Sequence, residues 1–275
     1  MIKKFNMSKM TDDEAIKNII EKSGHDFHLK ISKLLENDGW NIRNSPHYND
    51  PNTNIPREID IIAEKNFPVG NYFFGDRFPN LIVRLFIECK YIKSHIVFWF
   101  LEKDMKKAIE LAKNNPILRD KDDIYLKSKN KTHHYIVDAT VVKLFSADNK
   151  NQDLDKAINQ ILNATLFFSR NQNTGHYTVN FPMIIVNSFN NFKKKNDSQQ
   201  GYEQINNNVE IEVEYTNQGS SEYFLIDIIS EDKISTFLDY LINNDVGILT
   251  STLYFDMQMR ENQARSKPDI RNSAR

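Results

Sequence analysis

Apolar residues recur along the chain with two periods, that of a strand and that of a helix, so the sequence predicts a mixed α/β protein. Alternating or continuous apolar runs predict strands over residues 40–48, 57–62, 85–91, 135–145, 181–187, 209–215 and 223–229. Apolar residues three and four apart predict helices over residues 11–22, 25–37, 102–114, 153–168 and 232–241. Because no linker rich in Pro, Gly or Ser separates these elements, we expect one extended domain over residues 1–255 and a flexible polar tail over 256–275. A separate C-terminal module after about residue 130 is the alternative.

The stretch Arg57–Ile62 predicts a strand with one buried face. Side chains alternate between the two faces of a strand, so Ile59 and Ile61 are expected to point into a core. Glu58 and Asp60 then point to the opposite face. We interpret Glu58 as a solvated residue nearer the edge of the sheet.

The stretch Leu85–Tyr91 predicts a second strand of the same kind. Ile87 and Cys89 share one face, and Glu88 and Lys90 share the other. Charged residues rarely interrupt a strand that is otherwise of the buried type, which favours a functional site. The alternative is a solvated strand face that carries a cross-strand pair of lysine and carboxylate.

Asp60, Glu88 and Lys90 converge at one end of a sheet if the two strands are neighbours. Two adjacent carboxylates repel unless a cation lies between them, and a hard divalent ion such as Mg²⁺ takes carboxylate and carbonyl oxygens. Such an ion activates a bound water for attack on phosphorus. A buried lysine changes its pKa readily, so Lys90 can hold that water or help to deprotonate it. The three residues therefore predict metal-assisted hydrolysis of a phosphodiester.

The order Asp60 … Glu88-Cys89-Lys90 resembles the PD-(D/E)xK superfamily, the restriction-endonuclease-like nucleases. The runs Gly39–Ile42, Tyr48–Asp50 and Arg57–Asp60 resemble its branch of Mrr-type restriction enzymes and prokaryotic defence nucleases. The resemblance covers about residues 24–100. It implies a restriction-endonuclease-like mixed central sheet flanked by helices, to which this chain would add C-terminal strands and helices.

The same resemblance implies roles for individual residues. Asp60 and Glu88 would be metal ligands, the Cys89 carbonyl a further ligand, and Lys90 the catalytic lysine. Many members carry Glu or Gln after an aromatic residue on the first helix, and here that place holds His28. His28 could touch a metal-bound water, although a histidine on a helix surface is more often structural. The implied cofactor is Mg²⁺, with Mn²⁺ as a substitute.

Composition limits the other classes of function. A formal net charge of −1 does not exclude nucleic acid, because binding depends on how basic groups cluster. The single cysteine, Cys89, rules out an intramolecular disulfide and a multi-cysteine zinc site, and it fits a reducing cytoplasm. The longest apolar run, Ile96–Leu101, is too short to span a bilayer, and no signal-peptide pattern begins the chain. We therefore expect a cytoplasmic protein.

Other polar features have weaker interpretations. Adjacent residues of a strand point to opposite faces, so His133 and His134, which lead into a predicted strand, are assigned no metal role. The lysine-rich stretches 115–132 and 190–208 are predicted loops that contact phosphate or are simply solvated.

The sequence as a whole predicts an Mg²⁺-dependent nuclease that acts on DNA, with an endonuclease favoured and RNA left open. The resemblance implies a role in prokaryotic restriction or anti-phage defence. The alternative is a catalytically silent module that binds nucleic acid or a partner and keeps the nuclease fold. The chain could act as a homodimer or in a complex with a partner protein. Cutting both strands of a duplex with one site per chain favours a dimer.

Overall fold

The structure is a computed structural model. It describes residues 11–13, 16, 24–50, 53–70, 80–106, 132–135, 139–146, 152–170, 177–196, 200–217 and 220–266. The predicted helix over residues 11–22 lies mostly outside this part of the chain, as do most of the predicted helix over 102–114 and of the lysine-rich stretch 115–132.

The described helices are α1 (His25–Asn37), α2 (Gln152–Arg170), α3 (Ile234–Tyr240) and α4 (Gly247–Ser266). A π-helical turn, Leu241–Val246, joins α3 to α4, and 3₁₀ turns span His133–Tyr135 and Glu231–Lys233. The strands are β1 (Asn41–Asn44), β2 (His47–Asn49), β3 (Pro56–Glu58), β4 (Ile61–Phe67), β5 (Leu81–Lys90), β6 (Ile96–Glu102), β7 (Ala139–Ser146), β8 (Tyr177–Val186), β9 (Phe192–Asn196), β10 (Glu203–Gln204), β11 (Val209–Asn217) and β12 (Ser220–Ser230).

Ten of these strands form one mixed sheet in the order β1-β4-β5-β8-β12-β11-β7-β6-β9-β10. β5, β8 and β12 are parallel neighbours at its centre, and β4 and β11 flank them in the antiparallel direction. The prediction of a mixed α/β fold is confirmed. β2 and β3 form a separate two-stranded ribbon.

Two hydrophobic cores lie on opposite faces of the sheet. The first core packs α1, α3 and α4 against the face that carries Ile87 and Ile185. The second core packs α2 against the face that carries Phe86 and Ile184, and it also contains Phe98 of β6. Residues of β6 thus share the second core with those of the central strands.

The elements that the sequence predicts best are α2 and β8. Apolar residues at helical spacing predict a helix over 153–168, and α2 follows it closely. The near-continuous apolar run over 181–187 predicts a central strand, and β8 lies buried between β5 and β12. None of the described helices is both long enough and apolar enough to cross a membrane.

The prediction of one continuous strand over 57–62 is wrong, because the strand is interrupted at Ile59 and Asp60. The Ile59 N–H donates to Pro46 O (3.3 Å), and Asp60 O accepts from the Ser45 N–H (2.8 Å). These bonds end the ribbon before β4 begins. Ile59 therefore lies in the second core and Ile61 in the first, instead of sharing a face.

Two further predictions need correction. Lys193–Lys195 belong to β9 and pair with β6, so they are not in a loop. The polar tail begins later than residue 256, because α4 continues to Ser266; residues 267–275 lie outside the described part.

Replacing Leu154 of α2 by Ala should lower the free energy of unfolding by about 2–5 kcal/mol, because the side chain is 1% exposed in the second core. Leu29→Ala on α1 is the matched control, since the same atoms leave a helical side chain that is 37% exposed. Urea unfolding followed by circular dichroism measures both. Equal losses would contradict the burial of α2.

Candidate active site at the end of strand β5

Strand β5 extends beyond its neighbour β4. β4 begins at Ile61, opposite Ile87, whereas the register with β8 continues to the end of β5 at Lys90. The backbone of Cys89 thus lies past the end of the β4 ladder. Its N–H donates to Asp60 Oδ2 at 2.7 Å, so a side chain takes the place of a strand partner.

Asp60 and Glu88 are joined in both directions. The Asp60 N–H donates to Glu88 Oε1 at 3.3 Å, while the Asp60 carboxylate accepts from the residue after Glu88. Glu88 is 0% exposed. The structure therefore holds one carboxylate at the end of the sheet and fully buries a second beside it.

Lys90 completes the group. Its Nζ donates to Glu88 Oε2 at 2.7 Å, and its side chain is 21% exposed. Burial alone lowers the pKa of Lys90, but the carboxylates of Glu88 and Asp60 outweigh burial and raise the pKa above its ordinary value. Lys90 is therefore a cation and a hydrogen-bond donor that reaches solvent from a buried acid.

The Glu88 carboxylate is strained electrostatically. Burial and the neighbouring charge of Asp60 raise the pKa of Glu88 to about 7, although the pairing with Lys90 acts in the opposite direction. A positive ion between Asp60 and Glu88 would favour the charged form of both.

Tyr48 is a neighbour of this site. The sequence indicated only that it belongs to the Tyr48–Asp50 run of the family resemblance. Its buried hydroxyl donates to Gln160 O of α2 at 3.0 Å. Burial, followed by the charges of Glu88 and Asp50, raises the pKa of Tyr48. Since Gln160 Nε2 also donates to Glu58 O (3.2 Å), α2 holds the β2–β3 ribbon beside the carboxylates.

The remaining residues of the predicted site behave differently. Glu58 is exposed and lies 3.6 Å from His47 in the ribbon, as predicted for a solvated residue. His28 is buried on α1, and its Nε2 has no hydrogen-bond partner among the described residues. Because α1 packs on the Ile87 face, the structure places His28 across the sheet from the Glu88 side chain.

The prediction that strand alternation separates His133 and His134 is wrong. His133 and His134 lie on a 3₁₀ turn, so their side chains are not forced to opposite faces. Both Nε2 atoms lie 3.2 Å from Asp227 Oδ2. No local pattern indicated this, since Asp227 is far away in sequence on β12.

No protein-family model, curated protein or solved structure gives a significant match to this chain. The motif and the geometry of its side chains are therefore the basis for inferring what the protein does.

Glu88→Gln should change how stability depends on pH. Glu88 has a pKa of about 7 in the folded protein and an ordinary 4.5 in the unfolded chain, so the folded protein binds this proton more tightly. The stability that the bound proton contributes is complete below pH 4.5 and is lost as the pH rises to about 7. In the metal-free protein, the stability of wild type relative to Glu88→Gln should fall by about 3 kcal/mol over this range. Urea unfolding at closely spaced pH values measures the difference.

Glu58→Gln is the control for that measurement, because Glu58 is an exposed carboxylate on the neighbouring ribbon. Its pH profile should run parallel to that of wild type. If Glu88→Gln also ran parallel, the buried carboxylate would not titrate as the site requires.

Proposed function

We propose that the chain is an Mg²⁺-dependent nuclease that hydrolyses phosphodiester bonds of DNA with Asp60, Glu88 and Lys90. The observation that carries the proposal is the fully buried Glu88 carboxylate, held beside Asp60 and hydrogen-bonded to Lys90. The mixed sheet with helices on both faces supports a restriction-endonuclease-like fold and membership of the PD-(D/E)xK superfamily. A role in restriction or anti-phage defence follows from that membership.

The residues fit a hard divalent cation. Asp60 and Glu88 supply two carboxylates, and the single charge of Lys90 cannot neutralise both. The N–H and C=O of a strand residue point to the same side, so the Cys89 carbonyl lies on the Asp60 side of β5. Two carboxylates and a carbonyl are oxygen ligands of the kind that Mg²⁺ or Mn²⁺ prefers.

The protein side chains divide the work of hydrolysis. When bound, Mg²⁺ polarises a phosphoryl oxygen and makes a water more acidic. Asp60 and Glu88 hold the ion, and the partly exposed Lys90 ammonium is placed to bind the attacking water or a phosphate oxygen. The raised pKa of Lys90 favours holding the water over deprotonating it.

A surface of rings and lysines supports contact with nucleic acid. In the register of the sheet, Trp99 lies opposite Lys143 on β7 and Lys195 on β9, so the three side chains share a face. The Trp99 and Phe145 rings are 6.1 Å apart, and Lys143 Nζ lies 5.3 Å from the Phe145 ring. Lysines bind the phosphate backbone and rings stack on bases, so this ring–lysine surface suits a strand of nucleic acid.

The same surface keeps a second candidate function in view, namely a silent module that binds nucleic acid without cutting it. Such a module needs the ring–lysine surface and has no need of Lys90. The two functions therefore differ in what happens when Lys90 is removed.

Lys90→Ala should lower the rate of cleavage by about 10²–10⁴-fold, because the donor beside the reacting phosphate is lost. Supercoiled plasmid and labelled single strands, each with Mg²⁺, Mn²⁺ or EDTA, measure the rate and the type of strand cut. Lys93→Ala is the matched control, since Lys93 is an exposed lysine three positions further along that lies over the Tyr91 ring. It should retain activity.

Two outcomes would contradict the nuclease. One is cleavage by folded Glu88→Gln at the wild-type rate. The other is a wild-type protein that binds DNA but does not cut it with either metal, which would support the silent module.

Lys143→Ala combined with Lys195→Ala should weaken binding equally for all sequences. The slope of log K against log salt should become shallower by about 0.9 per lysine on duplex DNA, because each lysine no longer displaces a counterion. Fluorescence anisotropy of an EDTA-treated sample measures binding without cleavage. Lys30→Ala, which removes an exposed lysine paired with Glu231 on another surface, should leave the slope unchanged; an equal change there would show that the ring–lysine surface is not the binding face.

A further inference from the structure

A group of charged side chains is buried on the face of the sheet opposite Glu88. Asp227 of β12 alternates with Ile226 and Ile228, which belong to the second core, so its carboxylate points to the side of α3 and α4. The buried charge cluster comprises Lys103, His133, His134, Glu210, Asp227 and Asp245.

Two carboxylates of the cluster face each other. Glu210 on β11 lies directly opposite Asp227 on β12, and like charges at such positions destabilise a sheet. Lys103 forms an ion pair with Glu210 and donates to His134 O at 2.6 Å. It therefore compensates one carboxylate of the pair, and the two histidines are left to compensate the other.

The histidine rings converge on Asp227. Nε2 of His133 and Nε2 of His134 each lie 3.2 Å from Asp227 Oδ2, and ligand atoms of all three residues lie within 4.8 Å of one another. Ligands about 2.0–2.1 Å from a tetrahedral ion are separated by about 3.3 Å. The two distances to Asp227 Oδ2 match edges of such a tetrahedron, and the third ligand pair lies within 4.8 Å.

Asp245 orients the first histidine. Its carboxylate contacts Nδ1 of His133 and accepts from the His133 backbone N–H at 3.1 Å. A carboxylate that accepts a hydrogen bond from Nδ1–H leaves the lone pair on Nε2, where it can face a metal. Such a carboxylate is the usual hydrogen-bond partner of a metal-bound histidine. Asp245 lies in the π-helical turn, and such turns are frequent at functional sites.

The charges also call for a cation. Three carboxylates and Lys103 leave a net charge of −2 when both imidazoles are neutral. Two imidazolium ions would balance it, but the ring centroids are only 3.9 Å apart, so these ions would repel each other. The site thus favours a positive charge, and one divalent ion supplies it without two adjacent imidazolium rings.

We propose that His133, His134 and Asp227 bind a transition-metal ion of the Zn²⁺ class, with Asp245 as the positioning residue. Imidazole ligands select Zn²⁺ and similar ions over Mg²⁺, so this ion differs in kind from the one proposed at Glu88. All three ligands are buried. The ion would tie the turn at residues 132–135 to β12 and, through Asp245, to the junction of α3 and α4.

The test uses the full chain with Asp60→Asn and Glu88→Gln as background, so that the site on β5 does not contribute. After dialysis against chelator, Zn²⁺ is added in the presence of excess Mg²⁺, and bound metal is counted by mass spectrometry. We expect one Zn²⁺ per chain and a melting temperature that rises with Zn²⁺. His134→Gln and Asp227→Asn should abolish both effects, while His95→Gln, which changes an exposed histidine, should retain them.

X-ray absorption of the zinc-loaded background protein decides the question even if the cluster variants do not fold. Scattering from two imidazoles is the expected result. Failure to bind Zn²⁺, bound Zn²⁺ without imidazole scattering, or full binding by folded His134→Gln would each overturn the proposal and leave the cluster as a network of protonated histidines.

Discussion

The hydrogen bond from the Cys89 N–H to Asp60 Oδ2 is the contact on which the site depends. A buried N–H must be paired, and β4 begins two residues short of the position opposite Cys89, so it cannot pair this one. The Asp60 carboxylate is therefore drawn to the end of the ladder. That position lies next to Glu88, and it explains why two acids approach each other at a place where repulsion alone would separate them.

A second constraint, that a buried charge needs a partner, applies on both faces of the central sheet. On the second-core face, buried Glu88 is compensated by Lys90. On the first-core face, buried Asp227 lies 3.2 Å from Nε2 of both His133 and His134. Through β8, Glu88 is in register with Ile228 of β12, the residue that follows Asp227. Strand alternation therefore sends the Glu88 and Asp227 side chains to opposite faces of one sheet.

Local alternation was enough to predict how the residues of β5 divide between its faces. Ile87 and Cys89 do pack on the first core, and Glu88 and Lys90 do lie together on the other side. The break at Asp60 could not be predicted in the same way, because it depends on bonds to Ser45 and Pro46 from another part of the chain.

The histidine pair shows the same limit more strongly. The run of β-branched residues after Tyr135 favours a strand, and a strand separates adjacent side chains. The 3₁₀ turn that brings the two rings together is held by Asp245, more than a hundred positions away. Such a contact cannot be predicted from the local sequence. The order of the ten strands in the sheet cannot be predicted locally either, because it depends on pairings between distant segments.

The energetic cost of Glu88 argues for catalysis over silent binding. A carboxyl group whose pKa is raised to about 7 by burial and by Asp60 opposes folding at neutral pH. A neutral side chain of similar shape would be easier to bury at this position. Strained charges of this kind are typical of functional sites, where stability is lost in exchange for activity. A module that only binds nucleic acid through the ring–lysine surface has no use for a buried acid with a lysine beside it, and a metal-dependent hydrolase needs both.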